Sequence, residues 1–312
     1  MAPAAEPYVV EDCRGAVQLM SDGTVRRSAE PAFHVDLPDD ADAAVEWKDV
    51  TYDAEHDLNA RLYRPRNLGA ANDARFPVVA YFHGGGFCIG SGRLAQLPRL
   101  GASASPRSSR RRAVEDGATA MAWVRDSAAR DPWLADAADF SRVFVAGDSA
   151  GGNITHHMAV RFGKAGLGPQ VRLRGHVLLM PAMAGETRTR AELECRPGAF
   201  LTAEMSDRYA RLILPGGATR DYPVLNPAGP EAPGLEAVAM APSLVVAAEH
   251  DILRDRNEHY ARRMREEWGK EVAFVEFAGE QHGFFEVDPW SERADELVRL
   301  IRSFVVEHMD SE

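Results

Sequence analysis

The sequence predicts an α/β architecture: a mainly parallel sheet with helices on both faces. Three observations carry this. Short, nearly continuous apolar runs recur at Pro77 to Phe82 (PVVAYF), Val143 to Ala146 (VFVA), Val177 to Met180 (VLLM) and Leu244 to Ala247 (LVVA). Strands buried on both faces have this composition. Segments with helical stripes lie between them, so strand and helix alternate along the chain. The length of 312 residues, 45% apolar and 27% charged, suits one large domain over 1–312 that can bury most of its surface.

Taken in order, Val45 to Asp53 (VEWKDVTYD) and Leu58 to Tyr63 alternate apolar and polar residues, which predicts an antiparallel pair with one face in solvent. PVVAYF is the first buried strand. The stretch from Gly92 to Arg112 has no Val, Ile, Thr, Phe, Tyr or Trp, and carries six arginines with no acid, so no buried strand is expected there. Val114, Ala118, Met121 and Ala122 make a helical stripe. Helices are expected again at Ile154 to Phe162 after VFVA and at Asp255 to Trp268 after LVVA, with Asp255 as N-cap. A strand at Val272 to Phe277 follows. Ser291 to His308 closes the chain as a helix with Ser291 as N-cap and Leu297, Leu300, Ile301, Phe304 and Val305 at helical spacing.

A formal net charge of −11 argues against nucleic acid and against an anionic membrane surface, since phosphates call for a concentrated basic face. Cys13, Cys88 and Cys195 are odd in number and far apart, so neither a disulfide framework nor a zinc site is implied. Met1 to Val10 has no basic n-region and no apolar core, which predicts no secretory signal. No apolar run approaches membrane-spanning length. The expectation is a reduced, cytoplasmic setting with no metal.

The chemistry sits in three places. Gly147-Asp148-Ser149-Ala150-Gly151 is a G-x-S-x-G between a strand and a helix, where a sharp turn exposes the serine. A Gly-rich strand-to-helix turn is the bland alternative, and the flanking elements weigh against it. His83-Gly84-Gly85-Gly86-Phe87 follows PVVAYF directly. Bare backbone N–H groups there, with the one after the serine, suit an oxyanion hole; His83 is expected to brace the loop. A serine hydroxyl needs a base, and the base needs an orienting acid. After LVVA, Asp251 lies in the strand-end loop, with Glu249 the weaker rival. His282, in Gly279-Glu280-Gln281-His282-Gly283-Phe284, is the expected base, while His250, His259 and His308 sit in or beside helices.

With HGGGF, GDSAGGN, HDILRD and HGF in this order, the chain resembles the plant carboxylesterases of the hormone-sensitive-lipase group of α/β-hydrolases, relatives of the gibberellin receptors. Ser21 to Ser28 (SDGTVRRS) and VEWKDVTYD extend the resemblance to almost the whole chain except 93–112. It implies Ser149, Asp251 and His282 as a catalytic triad, with Gly84, Gly85, Gly86 and Ala150 around the oxyanion. It implies a small cap from about 1–40 and about 185–220, small-molecule ester substrates with short acyl groups, and no cofactor. The departure at 93–112 implies that one core strand, expected between Leu58 to Tyr63 and PVVAYF, is missing, as a frameshift plus deletion would leave it. Two other readings follow: a non-catalytic, hormone-like small-molecule binder on the same scaffold, and a folding-impaired, inactive product. The gibberellin receptors lack the catalytic histidine; His282 is present here.

Overall fold

The computed structural model describes residues 6–28, 45–66, 75–89, 102–105, 112–126, 130–163 and 166–310. Strands β1 (Val9–Cys13), β2 (Val17–Met20) and β3 (Val25–Arg27) form a small antiparallel sheet. The main sheet holds β4 (Val45–Asp53), β5 (Leu58–Pro65), β6 (Phe76–Phe82), β7 (Ala102–Ser105), β8 (Ala138–Asp148), β9 (Leu173–Leu179), β10 (Ser243–Ala248) and β11 (Val272–Phe277), in the order β11-β10-β9-β8-β6-β7-β5-β4. From β7 to β11 every neighbouring pair is parallel, and the β4–β5 pair is antiparallel, as its alternating pattern requires. The helices are α1 (Arg112–Asp126), α2 (Pro132–Ala135), α3 (Ala150–Phe162), α4 (Arg190–Leu193), α5 (Ala203–Ile213), α6 (Arg254–Glu266), α7 (Phe284–Val287) and α8 (Glu292–His308).

Alternate strand residues point to opposite faces, and each face has its own helices. Val143 and Val145 pack with Met121 of α1 and with Ile154 and Met158 of α3. Leu178 and Val245 pack with Tyr260 and Met264 of α6. On the other face Phe144, Val177 and Val246 meet Phe284 of α7 and Leu297 and Phe304 of α8. Phe144 and Phe304 make an edge-to-face pair with centroids 6.4 Å apart; truncating such a buried ring typically costs about 3–5 kcal/mol. Helix α8 starts as its sequence predicts, with the Ser291 side chain accepting the Ala294 N–H. For α6 the expectation is corrected. Its N-cap is Leu253, without a side-chain cap, and the Asp255 carboxylate accepts the Ala191 N–H instead.

The missing core strand also needs correcting. Strand β7 occupies the expected gap, drawn from within the anomalous segment. Residues 102 to 104 pair in parallel with Ala80 to Phe82, and residues 103 to 105 pair antiparallel with Asn59 to Arg61. Strand propensity is measured largely as side-chain packing, whereas ladder hydrogen bonds come from backbone N–H and C=O that Ala and Ser also carry. Residues 93–101 and 106–111 of that segment lie outside the described residues.

The small sheet lies against α5. Cys13, Val17 and Ile89 cluster with Tyr209 and Leu212, Arg208 donates to the Asp12 carbonyl, and Arg211 pairs with Glu11.

Candidate active site

Parallel strands bring the residues that follow them to one edge of the sheet, where α/β ligand sites form. Ser149 follows β8, Asp251 lies just beyond β10, His282 comes after β11, and the His83 to Phe87 loop leaves β6. The sequence spacing therefore becomes proximity at the strands' C-terminal ends.

Ser149 has φ 50° and ψ −117° between β8 and α3, a conformation an L-residue adopts only when its surroundings impose it. Its N–H donates to the Leu179 carbonyl at 2.8 Å, and its carbonyl accepts the Ala182 N–H at 2.7 Å. A Cβ on Gly151 would fall on the Phe82 carbonyl, which explains the glycine two residues after the serine. Helix α3 begins at Ala150, four residues before the expected start at Ile154.

Asp251 is buried, and its Oδ2 lies 2.7 Å from His282 Nδ1. Its Oδ1 accepts the Leu253 N–H at 2.9 Å. Burial alone would lower the His282 pKa, but the Asp251 charge and hydrogen bond, with Asp148 adding, outweigh it and move the imidazole up from its ordinary value. The Phe200 ring stacks on His282 at 6.4 Å, tilted by 22°, and the Phe200 N–H donates to Gln281 Oε1 at 3.1 Å. Arg14, from the turn between β1 and β2, lies over the Phe200 ring, 4.9 Å from its centroid. Glu249, the rival acid, instead accepts the Gly279 N–H at 2.7 Å.

The three glycines are not equivalent. Gly85 and Gly86 have φ of 105° and 60°, in the left-handed region that favours glycine. Gly84 departs from its expected role: its N–H donates to Asp148 Oδ1 at 2.9 Å, so it is committed to the protein. Among the described residues, no acceptor within the chain engages the N–H groups of Gly85, Gly86 and Ala150. Nδ1 of His83 lies 2.7 Å from the Gly84 carbonyl, and burial pushes its pKa down, so it braces the loop as a neutral ring.

A small cavity of about 50 Å³ opens beside Ser149, lined among others by Gly86, Phe87, Leu201, Tyr209 and Ile213. A larger one of about 310 Å³, lined by Asp221, Asp255, Arg256 and His259, contains neither Ser149 nor His282. Volume alone would choose the second; Ser149 lines the first. Sequence reasoning missed Tyr81, Phe200 and Tyr209. Only Tyr81 carried a signal, a hydroxyl in an otherwise apolar strand. Among the described residues no helix is long and apolar enough to cross a membrane.

The chain belongs to the α/β-hydrolase fold family, whose model matches residues 103–286, more than half of the sequence. Within that family it falls in the hormone-sensitive-lipase-like group that contains plant carboxylesterases and gibberellin receptors. It is 34% identical to Probable carboxylesterase 6 of Arabidopsis thaliana over 80% of this chain and 77% of that one. It is 32% identical to the gibberellin receptor GID1C of the same plant, over 76% of this chain and 74% of the receptor. Among solved structures, an esterase of Pyrobaculum calidifontis superposes with a TM-score of 0.70 at 27% identity, covering 85% of this chain and 86% of the esterase.

Proposed function

We propose that the protein is a serine carboxylesterase that hydrolyses short-chain acyl esters of small molecules through an acyl-enzyme. Ser149 is the nucleophile, His282 takes its proton, and Asp251 holds the imidazole tautomer and stabilises its cation. The oxyanion is received by the N–H groups of Gly85, Gly86 and Ala150, each worth roughly 2.7–4 kcal/mol in the transition state. The observation that carries this reading is the 2.7 Å Asp251–His282 bond, buried at the strand edge that also presents the strained Ser149. His282 Nε2 is then left as the acceptor, the form a general base requires.

The short-chain preference rests on the small cavity. Tyr209 stands so close to Gly86 that a Cβ there would lie 2.5 Å from its ring, and Ile213 and Leu201 close the remainder. We read the chain as one α/β domain over 1–312, with about 1–40 and about 185–220 forming the cap. The contacts of Cys13 and Val17 with Tyr209 support that part of the cap which is described.

The test is hydrolysis of p-nitrophenyl acetate and butyrate, with fluorophosphonate labelling mapped by mass spectrometry. Ser149→Ala should lose both turnover and label while keeping its melting temperature. Label on a different serine would overturn the assignment. A second reading, a non-catalytic binder of small hormone-like molecules, draws on the similarity to a gibberellin receptor; a folded, unlabelled, inactive wild-type chain would favour it.

A further inference from the structure

We infer that Glu286 and Asp148 form a carboxyl pair holding one proton beneath the nucleophile, in which Glu286 donates to Asp148 and thereby ties the His282 loop to the oxyanion loop. Glu286 is thus a positioning residue. The catalytic consequence rests on the esterase reading above; the proton itself does not.

Asp148 immediately precedes Ser149. Its Oδ1 accepts both the Tyr81 hydroxyl at 2.7 Å and the Gly84 N–H at 2.9 Å. A Cβ on Gly84 would lie 3.2 Å from Ser149 Cβ and on top of the Asp148 carboxylate, so this contact needs glycine. Glu286 belongs to α7, the single turn that begins two residues after His282. Its carboxyl is hydrogen-bonded to Asp148, and its Oε2 lies 3.3 Å from where a Gly283 Cβ would stand.

Two carboxyls in contact away from water cannot both ionise. Asp148 has the better claim to the charge, because Tyr81 and Gly84 donate to it and His83 and His282 lie near it. Burial, and then the Asp148 charge, push the Glu286 carboxyl well above the ordinary carboxylic range. Burial likewise raises the Tyr81 phenol, so it remains a donor in alkali. The titratable groups facing Glu286 are therefore Asp148 and Tyr81, with His83 and His282 beyond Asp148. Tyr63 of β5 packs into the same cluster, and α8 presents Ala294 and Leu297 to it.

One proton thus fixes three parts at once: the Gly84 N–H of the oxyanion loop, the residue before the nucleophile, and the turn that follows the base. Removing it would set two buried like charges against each other. A proton bound more tightly in the folded chain gives stability that is lost as pH rises through the folded value, so the wild-type chain should lose activity and stability together in alkali.

Glu286→Gln keeps an N–H donor toward Asp148 at every pH. In p-nitrophenyl butyrate hydrolysis corrected for spontaneous reaction, its ratio of kcat at about pH 9.5 to kcat at about pH 7.5 should exceed the wild-type ratio by about fivefold or more. The infrared C=O stretch of a protonated carboxyl, present in the wild-type chain at neutral pH, should lose intensity in this variant. An unchanged alkaline limb, or an unchanged carboxyl band, overturns the pair. If Glu286→Gln fails to fold, Asp148→Asn serves, since its amide donates to an ionised Glu286; a wild-type alkaline limb in that variant overturns the proposal equally. Should the folded wild-type chain itself lack esterase activity, the esterase reading falls. The pair then stands if Glu286→Gln removes the alkaline loss of melting temperature, and falls if it does not.

Discussion

The two ends of the main sheet are built on different terms. On the catalytic side, seven residue pairs join β6 to β8 and six join β10 to β11. The strands there are runs of Val, Leu, Ala and Phe gripped by helices on both faces. On the other side, β7 meets β6 through three pairs and β5 through three. The β4–β5 ribbon beyond it is held partly by exposed contacts such as the Arg61–Asp49 ion pair and Arg61 over Trp47. Exposed pairs contribute roughly 0–1 kcal/mol. Every proposed catalytic group hangs on the densely packed half, while the outer ribbon depends on a short backbone join. Chemistry and structural vulnerability are thus separated across the sheet, and substitutions should separate them too.

The largest effects belong to the packed half. His282→Ala should lower kcat by about 10⁴-fold or more with little change in melting temperature, because triad members fail as a unit. Asp251→Asn should cost less, about 10²- to 10⁴-fold, by favouring the wrong imidazole tautomer. It should also move the acid limb of kcat/KM downward. That limb lies above the ordinary histidine value in the wild-type chain, since Asp251 and Asp148 hold the proton on His282. Asp255→Asn is the control: its carboxylate serves Ala191 and Arg254, so kcat should stay within about threefold of wild type. If Asp255→Asn proves the more harmful of the two, the acid has been misassigned.

What was legible in the sequence follows the same divide. The buried strands were readable because double-sided burial leaves continuous apolar runs, and the elbow because strand, G-x-S-x-G and helix are contiguous. His282 and Asp251 could be assigned because strand-end loops converge in a parallel sheet. The Asp148–Tyr81 contact spans 67 residues, and no local pattern announces it. Gly84 looked like its two neighbours, and only the Asp148 carboxylate distinguishes it. Strand β7 was unreadable because its residues carry no strand propensity and its place is set by the partners on each side. Asp255 looked like a cap because residue type, not the actual first turn of α6, was the guide.

Ala104→Pro probes the weak join directly. In a strand paired on both sides the lost N–H and the ring cost about 3 kcal/mol or more, which for a chain of this size lowers the melting temperature by roughly 6–12 °C. Esterase turnover per folded molecule should change far less than in His282→Ala. No change in melting temperature would mean that 102–105 does not bridge the sheet, and would return weight to a folding-impaired product. A low, non-cooperative melt of the wild-type chain would do the same.

The smallest effect tests whether the packed half has a weakness of its own, in acid. His176 on β9 is fully buried, and burial lowers its pKa to about 4, with the Ala241 and Pro242 backbone offsetting part of that loss. Its folded value lies below the unfolded one of about 6.5, so the unfolded chain binds the proton more readily. The resulting stability is present above the unfolded value and is lost as pH falls toward the folded one. Between about pH 7 and pH 5 the loss should be about 2 kcal/mol. His176→Leu cannot take up that proton and should melt with a visibly flatter pH dependence over this range. Because His176 sits in β9, opposite Val145 of β8 and Ser243 of β10, acid should lower the opening free energy read from amide exchange, corrected for the intrinsic rate at each pH, first in β8 to β10, leaving that of the β4–β5 ribbon closer to its neutral value. An equal fall in opening free energy across both regions would show that the sheet opens as one unit and that the contrast between its ends is one of composition, not of local stability.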